Sequence, residues 1–142
     1  MTTKREQILA QVATTLAPTA GVSGRIYRSR VTAAARAESP MIVIEPVTDS
    51  ARQVTSLPKL DWRMRLRITV VVRSQTPDTD ADSIIESMHS LLMSDLTVGG
   101  YAIDVQPVLT EFQFLDADQP AGVISNEYDV LYRTEVDDLA AG

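Results

Sequence analysis

The sequence has no cysteine, one histidine, one tryptophan and two phenylalanines, and aromatic residues make up only 5% of its 142 positions. Without thiols there is no disulfide framework, no thiolate metal site and no cysteine nucleophile. With His89 as the sole imidazole, a metal shell would have to be completed by carboxylates, and a hydrolytic triad would need a serine within reach of that one ring. No apolar run approaches the ~18 residues of a membrane-spanning helix. The opening Met1-Thr-Thr-Lys-Arg-Glu-Gln has no apolar core after it, so the chain is expected to be soluble and not exported. What is present is ordinary for a folded domain: 44% hydrophobic and 23% charged residues, in a length that suits one domain over 1–142.

The net charge of −6 conceals a segregation. Residues 1–77 hold 12 of the 13 Lys and Arg but only 5 of the 19 acids, a balance of +7, whereas residues 78–142 come to −13. Exposed charges are screened beyond ~8–10 Å, so a monomer draws no obvious stability from this split. It is either two solvated faces or a pair of unlike patches for a self-complementary assembly.

Hydrophobic periodicity predicts a helix over about 3–17, opened by the Thr3-x-x-Glu6 spacing of a capping box and striped by Ile8, Leu9, Val12 and Leu16. A glycine-containing loop, 19–24, leads to a short strand at 25–28 and a surface connection at 29–40. Met41-Ile-Val-Ile-Glu45 reads as a central strand stopped by Pro46. Residues 48–58 are polar and suit an arm or a loose hairpin limb. Over 60–73 the alternation is strict, with Leu60, Trp62, Met64, Leu66, Ile68, Val70 and Val72 on one side and Arg63, Arg65, Arg67 and Arg73 on the other. Fourteen residues extend roughly 45 Å, against a diameter of roughly 37 Å for a sphere-like domain of this size. The strand must therefore bend, or project as an arm around 48–62 carrying Trp62 and Met64.

A second helix is predicted at about 79–95, opened by Pro77 and Asp78 and striped by Ile84, Ile85, Met88, Leu91 and Leu92. A Gly99–Gly100 turn, strands at 101–106, 108–115 and 123–134, and a frayed acidic tail, 135–142, complete the chain, with Pro107 marking a bulge or an edge. The order α-β-β-β-α-β-β predicts an α+β domain, with a mainly antiparallel sheet of four or five strands and both helices on one face.

Motifs for catalysis are not found. Asp78-x-Asp80-x-Asp82 begins like a calcium loop, but Ser83 and His89 occupy the positions of its turn glycine and bidentate glutamate, so helix capping is the better reading. Gly21-Val-Ser-Gly24 lacks the rest of a phosphate loop or a dinucleotide fingerprint. No catalytic residue, cofactor or metal is expected. The row Arg63, Arg65, Arg67 and Arg73 is the candidate functional feature: it could follow phosphates, form a protein interface or channel face, or pair across strands with acids such as Glu127 and Asp129. In this reading Arg65→Ala costs little, Ile68→Ala costs much, and glutamates at 63, 65 and 67 leave the fold intact.

The layout resembles the tail terminator, or tail completion, proteins of long-tailed bacteriophages. The likeness lies in the N-terminal helix, Arg25-Ile-Tyr-Arg28, Ser39-Pro-Met-Ile-Val-Ile44, the long alternating strand, the helix ending in Ser94-Asp95-Leu96, the Gly99–Gly100 turn and the closing Tyr132-Arg-Thr134. It implies a non-enzymatic virion protein, assembled in the host cytoplasm and placed at the tail–neck junction. Such a subunit forms a ring, expected to be a hexamer, on the phage tail tube protein, ends tail polymerisation and offers a surface to a head-side connector protein. No membrane is implied, and nucleic acid would be met at most by proximity in the channel. Another neck component, or a nucleic-acid-binding module using the arginine face, are the alternatives.

Overall fold

The computed structural model describes residues 2–28, 40–53, 58–115 and 120–141. Most of the surface connection read at 29–40, residues 54–57 of the polar stretch 48–58, and residues 116–119 lie outside the described residues. In chain order the elements are α1 (Lys4–Leu16), β1 (Ile26–Arg28), β2 (Met41–Arg52), β3 (Lys59–Arg73), α2 (Pro77–Met93), β4 (Asp104–Leu115) and β5 (Ala121–Glu135). This is the predicted α+β order. The strands form one five-stranded sheet, β1-β2-β3-β5-β4, antiparallel throughout except for the parallel pair β1–β2.

The alternation of β3 produces the core. Met64, Leu66, Ile68 and Val70 are fully buried on the face that both helices cover, beneath Ile8, Val12 and Leu16 of α1 and Ala81, Ile84, Met88 and Leu92 of α2. Ile85, assigned to the stripe, is only half-buried at its margin, and Ala81 takes the inward position instead. Thr3 caps α1 by accepting the Glu6 N–H at 3.2 Å. The box is half made, because the Glu6 carboxylate turns away to take both guanidinium nitrogens of Arg28.

The structure corrects the reading of 46–62. Pro46 does not end β2. The register shifts between Pro46 and Thr48, and the strand resumes as far as Arg52, since a bulge tolerates a residue without an N–H. Nor does an arm project at Trp62 and Met64. All of β3 pairs with β5, from Lys59–Glu135 to Arg73–Ala121, so a neighbour of equal length supports the long strand. Met64 is completely buried. Trp62 stacks on Tyr132 at 6.0 Å and donates to Thr134 Oγ1 at 2.9 Å. Arg5 of α1 lies 5.6 Å from the Trp62 ring and binds Asp49 at 2.6 Å, and Tyr132 donates to that same carboxylate. Burial, then the neighbouring Asp49, push the Tyr132 phenol up from its usual range.

The acidic tail is tied down as well. Leu139 O accepts the Lys4 N–H at 2.8 Å, supplying a partner to the helix start, and Ala141 O accepts from Glu135 N. Pro107 marks a bulge inside one strand rather than a break between two, with the β4 register shifting between Pro107 and Leu109. At the exit of α2, Gly99 and Gly100 have φ of +67° and +91°, a turn conformation that glycine adopts without a Cβ clash.

Candidate functional site

Arg63, Arg65 and Arg67 occupy successive outward positions of β3, on the sheet face opposite both helices. Register decides what they meet. Arg65 lies opposite Asp129, and Arg67 lies between Glu127 of β5 and Glu45 of β2. Arg63 Nη1 donates to Asp129 Oδ2 at 2.8 Å, and Arg65 Nε donates to Asp129 Oδ1 at 2.7 Å. Arg65 Nη1 reaches Glu127 Oε1 at 3.2 Å, and Arg67 divides its two terminal nitrogens between Glu127 at 3.5 Å and Glu45 at 3.4 Å. Three cations and three anions thus interleave across three strands. Arg73, on the same face but opposite Ala121, stands outside this row.

The two β5 acids are the buried members, Asp129 6% exposed and Glu127 8%, whereas Glu45 on β2 is partly exposed. Burial by itself would raise the Asp129 carboxyl, but hydrogen bonds from Arg65 and Arg63 outweigh it and hold the group below its ordinary range. The hydrogen bonds that Arg65 donates to Asp129 and Glu127 in turn raise its guanidinium. The expectation that Arg65→Ala costs little is therefore corrected. This guanidinium serves two buried carboxylates at once, and removing one partner of a buried pair leaves an uncompensated charge. For the same reason a phosphate would have to displace carboxylates already seated in charge-assisted bonds, so the row functions as a neutral ladder and not as an open cationic track.

A pH dependence follows. A carboxyl depressed in the fold contributes stability that is complete above its unfolded-chain value of about 3.9 and disappears as pH falls through that range. The melting temperature should hold steady down to about pH 5 and fall below about pH 4, and Asp129→Asn should flatten that limb. Circular dichroism melts across a pH series measure it; an Asp129→Asn curve parallel to the wild type would contradict the assignment.

Elsewhere, Asp78, Asp80 and Asp82 are exposed in the first turns of α2, where the helix dipole favours negative charge. His89 is exposed on α2, its Nδ1 2.8 Å from the Tyr128 hydroxyl, whose pKa burial pushes up to about 12. Among the described residues no three His, Asp or Glu side chains come together as a metal ion would require. No helix among the described residues is long and apolar enough to cross a membrane.

The sheet ends are unlike each other. β1 stands beside α1 with Lys4, Arg5, Arg25 and Arg28, whereas β4 is the opposite end and carries Asp104 and Glu111. Residues 74–132 contain no lysine or arginine, so α2 and β4 present acids alone. On β4, Phe112 and Phe114 are 60% and 56% exposed and stack on each other at 6.4 Å. Sequence reasoning missed this pair. The signal was available in Thr110-x-Phe112-x-Phe114, an alternation next to the edge-marking Pro107, but alternation by itself does not tell a covered face from a bare one.

No protein-family model and no curated protein matches the chain. Among solved structures, a chain in the virion of a native gene transfer agent particle is similar, with a TM-score of 0.48 and 6% identity over 87% of this chain and 93% of that one.

Proposed function

We propose that the protein is a structural subunit of a phage-type virion that assembles with copies of itself into a ring, a hexamer by the resemblance in its sequence. In this reading it closes the tail tube and joins it to a head-side connector, and its work is assembly and not catalysis. The observation that carries the reading is the placement of charge: among the described residues Lys4, Arg5, Arg25 and Arg28 stand at the β1 end of the sheet, Arg5 and Arg28 paired with Asp49 and Glu6, whereas β4 at the other end carries Asp104 and Glu111 and no cation. Two unlike patches on one rigid body are what a head-to-tail contact uses, and head-to-tail contacts close into rings when the rotation permits. The internally neutralised arginine ladder leaves that asymmetry to the flanks. Another neck component would use the same contacts with different neighbours.

Light scattering across a concentration series, with electron microscopy of the protein alone and of tails incubated with it, tests the proposal. A ring with a central hole, free or at one end of the tail, is the expected result. A strict monomer in both settings overturns it.

A further inference from the structure

α1 lies over β1 and β2, and α2 lies mainly over β3 and β5; Val105 near the start of β4 is buried in the core, but the helix-side face is left uncovered further along β4, at Phe112 and Phe114. How closely α2 comes to that margin is set by Gly122, where a Cβ would stand 2.8 Å from Pro77 Cβ. Its partner across the ladder is Phe114, and the next on that face is Phe112, opposite Ile124. Ile124 is fully buried, whereas the two phenylalanine rings one strand further out are mostly in solvent. Val108 and Leu109, at the bulge, are each 40% exposed. Among the described residues β4 pairs with β5 alone, so its other side presents main-chain N–H and C=O groups to solvent. Apolar anchors beside an open strand edge are the elements of an interface.

Charge selects the occupant. Two β4 edges packed on each other would set Glu111, Asp104 and the acids of α2 against the same groups, with no lysine or arginine on either side. The other end of the sheet offers Lys4 and Arg25, beside an Arg28 that is already paired with Glu6. We propose that the β4 edge, anchored by Phe112 and Phe114, seats on the β1–α1 flank of a second copy of this chain. The inference rests on the ring reading and names the surface that makes the ring.

The test is the concentration at which wild type and Phe112→Asp/Phe114→Asp assemble, with Phe112→Gln/Phe114→Gln as the milder variant and circular dichroism melts to confirm that both still fold. The substitutions should raise the assembly midpoint at least tenfold without moving the melt, and wild-type assembly should weaken as salt rises, because opposite charges meet. Wild type that assembles while both variants assemble at the same midpoint overturns this surface and leaves the ring reading standing. Wild type that stops at a dimer, or assembles better in high salt, overturns the head-to-tail pairing. Wild type that never assembles, alone or on tails, overturns the ring reading and this surface with it.

Discussion

Ile68→Ala lowers the unfolding free energy by about 2–5 kcal/mol, the range found when a buried aliphatic side chain is cut back to a methyl group. Ile68 is completely buried on the middle strand of five, flanked by Ile44 on β2 and Asn126 on β5, in the same cluster as Ile84 and Met88 of α2. Its neighbours are held by two ladders and two helices, so the cavity cannot collapse easily and the cost belongs toward the upper part of that range. Arg63→Ala, from a side chain that is 52% exposed, gives the comparison: it removes one of the two arginines on Asp129 and leaves Arg65 in place. Urea unfolding of both variants measures the difference. Equal midpoints would mean that the dry and wet faces of β3 have been exchanged.

The faces of β3 were legible because alternation is a local property: seven apolar residues at period two have one way to be buried together. The pairing of the arginines with Glu127 and Asp129 was legible for a related reason, since like-faced residues of opposite charge on adjacent strands meet once register is set. What was not legible depended on neighbours. The length of β3 suggested an overhang only because a sphere was assumed, whereas β5 is equally long and pairs with all of it. Pro46 read as a stop because proline lacks a donor, yet it sits at a bulge where the ladder skips a residue, as does Pro107, which was read as a bulge or an edge. The tail from 135 looked frayed by composition, but Leu139 finds the orphan N–H at the start of α1. The exposed Phe112 and Phe114 were hidden for the opposite reason: the pattern showed an apolar face, and only the position of β4 at the end of the sheet reveals that the two rings are left largely uncovered.

Replacing Arg63, Arg65 and Arg67 together with glutamate destabilises the fold at least as much as Ile68→Ala does. Sequence alone suggested a tolerant surface, on the grounds that exposed ion pairs contribute little. The structure removes that premise, because Glu127 and Asp129 opposite are buried and accept hydrogen bonds from these guanidiniums, which hold the Asp129 carboxyl below its ordinary range. The substitutions delete three cations and add three anions to Glu45, Glu127 and Asp129, and like charges directly across a ladder repel. The pH response should reverse as well. In the wild type, acid removes a favourable interaction, because Asp129 titrates from a depressed value. In the triple variant the carboxylates repel, and protonation relieves the repulsion, so stability rises as pH falls from about 7 toward about 5. Added salt should act in the same direction, through screening. Melting curves for both proteins over that pH interval and at two salt concentrations decide the matter: opposite slopes are expected, and a triple variant that melts like the wild type would show that the ladder carries no weight in the fold.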